Sequence, residues 1–172
     1  MPKPVRVNLP YPSIDDITPN LKIAKQIAVA YSGGHSELNA TLQYIYHFFN
    51  FQVYDKEIAN TLMGIAVAEM EHLEILGKML IKLGVNPKYY DYSHYGEFYS
   101  TKSVSYSQSP EKMLLDDLSG EMLAIQEYKR LINTICDEKV TAVLCRIVLD
   151  EEMHVAVLKD ALNNYLSPPT CF

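Results

Sequence analysis

The sequence predicts an all-α fold: a four-helix bundle with one long crossover and an extended N-terminal arm. Three observations predict it. Four long segments place apolar residues at helical spacing, with few strand-like alternations between them. Two of the connections are short, whereas the third, 85–109, has about 25 residues, enough at about 3.3 Å each to run the length of a bundle. The second half of the chain also repeats the first.

The elements follow in order. Residues 1–19 are proline-rich and aperiodic, so they are expected as an extended arm on the body or on a neighbouring subunit. The first helix is expected over about 20–50, weakened or kinked at Gly33–Gly34. The second spans about 55–83 and stops at Gly84. The third, about 110–135, starts where Ser109 can cap and Pro110 suits the first helical position. The fourth, about 137–165, ends at the stop signal "SPP". The bundle thus covers 20–165 of one 172-residue domain. The crossover holds six tyrosines, expected to pack their rings on the body with hydroxyls in water, or to form an oligomer contact.

Composition narrows the function. With 48% apolar residues the chain can bury a core, and it is not disordered. The net charge of −6 and the lack of a basic run argue against nucleic acid. No apolar run is long enough to span a membrane, and the N-terminus does not read as a signal peptide. Cys136, Cys145 and Cys171 have no Cys-x-x-Cys pairing, so no zinc knuckle, rubredoxin site or disulfide framework is expected. A reducing cytoplasm is the expected compartment.

"AEMEHLEILGKML" (68–80) sets Glu69 and His72 inside an apolar helical pattern, and "DEEMHVAVLKDAL" sets Glu151 and His154 in the same register. One Glu-x-x-His is weak, because surface ion pairs share that spacing. The repeat makes two of them strong. "SELNATLQY" (36–44) matches "GEMLAIQEY" (120–128) at an offset of 84, aligning Glu37 with Glu121 and Tyr44 with Tyr128. The two Glu-x-x-His motifs match at an offset of 82.

Residues three apart share a helix face, so each Glu and its His point the same way. Four antiparallel helices can bring Glu37, Glu69, His72, Glu121, Glu151 and His154 to one level of the core. Four carboxylates there repel one another unless cations balance them. Two divalent ions bring four positive charges, carboxylates can bridge them, and a neutral imidazole can complete each.

Other acidic residues fail on angle or repeat. Glu71 lies about 200° round the helix from Glu69, and Glu127 about 240° from Glu121. Asp117 shares a face with Glu121, but its repeat partner is Gly33. Glu74 and Glu152 are expected in solvent or behind the ligands. His35, His47 and His94 have no repeat partner and receive no role. Tyr44 and Tyr128, two turns from Glu37 and Glu121, either support a ligand carboxylate from the next helix or simply pack.

On "GGHSELNATLQY", "AEMEHLEILGKM" and "GEMLAIQEY", the chain resembles the ferritin-like superfamily over about residues 20–165. Within it, the chain most resembles the manganese catalase family and its short spore-coat relatives. The twin Glu-x-x-His is the mark of the superfamily, and the Gly-Gly pair before the first Glu points to the catalase branch. The crossover is shorter than is usual in that family.

The resemblance implies two divalent metal ions per chain, manganese first and iron as the alternative. It implies disproportionation of hydrogen peroxide to water and oxygen. Glu37 with His72, and Glu121 with His154, would hold one ion each, with Glu69 bridging. Glu151 would bridge or stand back as the proton-transferring base. A diiron site of the rubrerythrin or ferritin kind, acting on peroxide or dioxygen, is the second expectation. A spore-coat or assembly protein that retains the metal site is the third. A homo-oligomer is expected in each case.

Overall fold

The computed structural model describes residues 2–91 and 97–167. Among these are five α-helices: α1 (Leu21–Ser32), α2 (Glu37–Phe51), α3 (Lys56–Lys82), α4 (Pro110–Thr134) and α5 (Glu138–Leu166). The crossover between α3 and α4 adds a short 3-10 turn at Thr101–Ser103 and an isolated bridge between Tyr90 and Phe98. No helix among the described residues is long and apolar enough to cross a membrane. His94, Cys171, the two prolines of the "SPP" stop signal and two of the six crossover tyrosines, Tyr92 and Tyr95, lie outside the described residues.

The expected single helix over 20–50 is two helices. Gly33 sits in extended backbone at φ −72°, ψ −175° and ends α1. Ser36 then restarts the helix: its Oγ accepts from the Asn39 N–H and donates to the Gly33 carbonyl at 2.7 Å. Two glycines lower helix propensity by about 1 kcal/mol each, and an N-cap serine returns a similar amount to a new start. A break therefore wins over a kink. Its consequence is functional, because Glu37 becomes the first residue of α2.

The other boundaries follow local chemistry. Asn20, Asp55, Ser109 and Asp137 each accept backbone N–H groups at a helix start. Pro110 opens α4, and Gly84, at φ +88°, takes the left-handed conformation just beyond α3.

α2 packs against α3 and α4 against α5, while α1 extends along the C-terminal half of α3. Two apolar clusters result. One joins α1 to the later half of α3 and the earlier half of α5, with Ile27, Leu76, Leu80 and Ile147 buried. The other joins α2 to the earlier half of α3 and the later half of α5, with Phe51, Leu62, Ile65 and Leu158 buried. Between them lies a buried polar band at the middle of α3 and α5.

The arm lies on its own chain's body, over α3 and α5. The Val5 N–H donates to the Gly64 carbonyl at 2.9 Å, and the Arg146 guanidinium donates to the carbonyls of Val7 and Leu9. Gly64 permits the approach: a Cβ there would lie 2.9 Å from both the Lys3 carbonyl oxygen and Val5 Cγ2. The crossover is pinned partly by its tyrosines. Tyr89 stacks on Tyr31, Tyr106 meets Tyr46 edge-on, and the Tyr99 hydroxyl donates to Asn39 Oδ1 at 2.9 Å.

Candidate metal centre

Six side chains converge in the polar band. Glu37 opens α2, Glu121 lies midway along α4, and the pairs Glu69–His72 and Glu151–His154 lie midway along α3 and α5. All six are buried. They form two groups of potential metal ligands: Glu37, Glu69, His72 and Glu151, and Glu69, Glu121, Glu151 and His154. The atoms of each group lie within 4.8 Å of one another, and Glu69 and Glu151 belong to both.

The oxygens of those two carboxylates divide between the histidines. His72 Nδ1 lies 3.3 Å from Glu37 Oε2, Glu69 Oε2 and Glu151 Oε1. His154 Nδ1 lies 3.0 Å from Glu69 Oε1 and Glu151 Oε2, and 3.6 Å from Glu121 Oε2. Glu69 and Glu151 thus each turn one oxygen toward each imidazole.

The geometry leaves room for cations. Glu69 Oε1 and Glu151 Oε1 are buried with no hydrogen-bond partner, although an imidazole nitrogen stands nearby out of alignment. An unpartnered buried carboxylate oxygen is costly, and a divalent ion removes the cost. Hard oxygen donors with one imidazole per group suit manganese or iron, and the absence of thiolate disfavours softer ions.

The outer nitrogens are tied down, leaving Nδ1 of each ring toward the carboxylates. His72 Nε2 faces Asp150 Oδ2 at 3.2 Å, and His154 Nε2 donates to the Val5 carbonyl at 2.8 Å. Such outer contacts hold a ligand histidine's tautomer and orientation. Asp150 is itself anchored by the Val7 N–H, the Tyr11 hydroxyl and Arg146 Nη1.

The tyrosines cross between helices. The Tyr44 hydroxyl on α2 donates to Glu121 on α4, and the Tyr128 hydroxyl on α4 donates to Glu37 on α2. Burial, then the facing carboxylate, raises both phenols well above their ordinary range, so they stay protonated donors. Each phenol therefore steadies one carboxylate of the pair that belongs to a single group. Tyr44→Phe should weaken manganese binding at the Glu121–His154 group about 10-fold, and Tyr128→Phe at the Glu37–His72 group. Two-site manganese titration checks this, and equal weakening of both groups by either variant would count against it.

Electrostatics follow from crowding. Burial, then the Glu69 charge, raises the Glu37 carboxyl, and burial with the Glu151 and Glu69 charges raises Glu121. Burial alone would depress the imidazoles. The carboxylates overcome it, with Glu151 and Glu37 raising His72 and Glu121 raising His154.

A cavity of about 820 Å³ opens beside α2 and α4 and reaches Glu37, Glu69, Glu121 and Glu151. Tyr44 and Tyr128 also line it. On the other side, the arm covers the seam of α3 and α5, with the Tyr11 ring edge-on to His72. The site is therefore open on one face and closed on the other.

Residues set aside above fall elsewhere. Glu71 pairs with Arg6, Glu127 with Arg130, Glu152 with Lys129 and Glu74 with Lys78. His35 is exposed. His47 and Asp117 form a buried pair, 2.9 Å apart, and His47 Nε2 donates to the Ser105 carbonyl. Asp150 and the Val5 carbonyl escaped the sequence reading. Arg146 and Asp150, four apart with opposite charge inside an apolar run, were the signal that could have found Asp150.

Comparison with known proteins gives four findings. The model of the ferritin-like domain family matches residues 35–166. A Clostridium acetobutylicum protein named "Probable manganese catalase" is 25% identical over 150 residues. That match covers 76% of this chain and 66% of the relative, just under two thirds of its length. The crystal structure of a manganese catalase from Anabaena superposes with a TM-score of 0.81 at 22% identity, covering 97% of this chain and 84% of that one. The bacterioferritin of Rhodobacter capsulatus follows at 0.71 and 21%, covering 86% and 88%. At these identities the two structures show a common fold.

Proposed function

The chain belongs to the ferritin-like domain family, and from that premise we propose that it is a dimanganese enzyme disproportionating hydrogen peroxide to water and dioxygen. One observation carries the reading: two buried ligand groups share Glu69 and Glu151 and each keep one Glu and one His of their own. The likeness to the Clostridium protein supports manganese and peroxide.

Glu37 and His72 would hold one ion, Glu121 and His154 the other, and Glu69 would join them. Bound there, a manganese pair would supply the two-electron redox couple that peroxide disproportionation needs. The chain's own residues do the rest. Four carboxylates balance the charge of two divalent ions. The cavity beside α2 and α4 admits a small oxidant to the floor lined by all four. The α3–α5 side, covered by the arm, keeps bulk water from the histidines. Glu69 and Glu151 each turn one oxygen to each histidine, and of the two Glu151 is the one the resemblance to the catalase branch implies as base: it takes one of the two protons released as peroxide is oxidised to dioxygen and returns it as the next peroxide is reduced to water. Tyr44 and Tyr128 hold Glu121 and Glu37 in place meanwhile.

The test is metal analysis of protein made in medium supplied with both manganese and iron, followed by an oxygen electrode. About two manganese ions per chain and oxygen release from peroxide are expected. Two irons without oxygen release would replace this reading with a diiron oxidase or peroxidase. A chain that takes up neither metal would overturn both and favour a structural or coat role.

A further inference from the structure

The two histidines are anchored by different means. His72 is held by a carboxylate, Asp150, from α5. His154 is held by a backbone carbonyl, that of Val5, from the arm. In the internal repeat the position matching Asp150 is Ala68, 82 residues earlier. A methyl group accepts no hydrogen bond, so α3 offers His154 nothing equivalent. The arm, which lies outside the repeat, occupies the place.

A carbonyl oxygen accepts and cannot donate. It therefore keeps the His154 proton on Nε2 and the lone pair on Nδ1, the nitrogen turned toward Glu69, Glu121 and Glu151. The arm is held where this works. The Val5 N–H donates to the Gly64 carbonyl, and the missing side chain of Gly64 makes the room. Beyond Val5, Val7 and Leu9 are clamped separately by Arg146.

We propose that the N-terminal arm is part of the metal centre: the Val5 carbonyl positions His154 as Asp150 positions His72, so the ion held by Glu121 and His154 depends on residues 2–6. The ion held by Glu37 and His72 does not, because the arm residues that anchor Asp150, Val7 and Tyr11, lie beyond residue 6 and are themselves held by Arg146. Val5 is a positioning residue and touches no substrate. This inference rests on the two-metal reading above.

The experiment measures Mn(II) binding by equilibrium dialysis. Glu37→Ala leaves the Glu121–His154 group as the test site, and Glu121→Ala leaves the Glu37–His72 group. Each is compared with and without residues 2–6. The deletion should weaken binding about 10–100-fold in the Glu37→Ala chain and leave the Glu121→Ala chain unchanged. Equal weakening in both, or in neither, overturns the inference. Gly64→Val in the full-length chain covers the case where the deletion does not fold. It pushes Lys3 and Val5 aside, leaves Val7 to Tyr11 in place, and should give the same selective loss. Undiminished binding at the Glu121–His154 group in that variant also overturns the inference. An unmodified chain that binds no manganese overturns the dimanganese reading itself. Two ions bound both with and without residues 2–6 overturn this inference alone.

Discussion

Glu69→Ala should strip the protein of both metal ions at once, whereas Glu37→Ala and Glu121→Ala should each cost one. Glu69 is one of two residues common to both ligand groups, with Oε2 near His72 and Oε1 near His154. Its loss removes a ligand and a negative charge from both positions together. Loss of a mere outer partner costs about 10–100-fold in metal affinity. Loss of a shared carboxylate should exceed that at both sites, taking metal content from about two ions per chain to nearly none. Glu69→Gln keeps the volume and separates ligation from packing. Metal analysis with circular dichroism reads the result. A folded Glu69→Ala chain that keeps even one tightly held ion would remove Glu69 from its shared position.

Removing the metal should lower the thermal midpoint by a large amount, and by more at higher pH. A ligand at 1,000 times its dissociation constant adds about 4 kcal/mol of stability, and for a domain of this size each kcal/mol moves the midpoint about 2–4 °C. Two ions therefore amount to about 15–30 °C.

The pH trend follows from the sign of the shifts. His72, His154, Glu37 and Glu121 are raised in the metal-free fold. A raised group stabilises below its unfolded pKa, and that contribution disappears as pH climbs through the folded value. Glu69 and Glu151 are lowered, their hydrogen bonds and the nearby imidazole charge outweighing burial. Their contribution is present above the ordinary carboxylate range and is lost only as pH falls. Between about pH 6 and 8 the unfolded chain's imidazoles lose their protons, from an ordinary pKa of about 6.5, while the folded, metal-free site still holds His72 and His154 protonated, so this contribution shrinks as pH rises. The metal-free protein weakens over that range, while bound cations replace the missing protons. Scanning calorimetry with and without chelator at pH 6 and pH 8 checks this. A gap that narrows as pH rises would contradict it.

The six-residue cluster was legible because helices convert spacing into direction. Glu69 with His72 and Glu151 with His154 had to share a face, and the repeat tied the two faces together. The tyrosine contacts were legible as one of two alternatives, since a buried phenol at that register either meets a carboxylate or only packs. At Gly33–Gly34 the sequence predicts a weakened or kinked helix rather than a break, because Ser36 as a new helix start is fixed by its contact with the Gly33 carbonyl, which only the fold supplies. His47 and Asp117 looked unrelated because they are 70 positions apart on helices whose rotation the pattern does not specify.

By itself, the sequence determined the all-α bundle, the buried face of each helix and the residue types of the candidate centre, because periodicity and repetition are local properties of the chain. Only the tertiary structure decided which carboxylates stand between the two histidines, which side of the site opens to a cavity, and what anchors each outer nitrogen. Those choices depend on how helices rotate and where the arm crosses them. The Val5 anchor is the clearest case: every residue carries a carbonyl, so nothing in the sequence distinguishes the one that reaches His154 until the fold puts it 2.8 Å away.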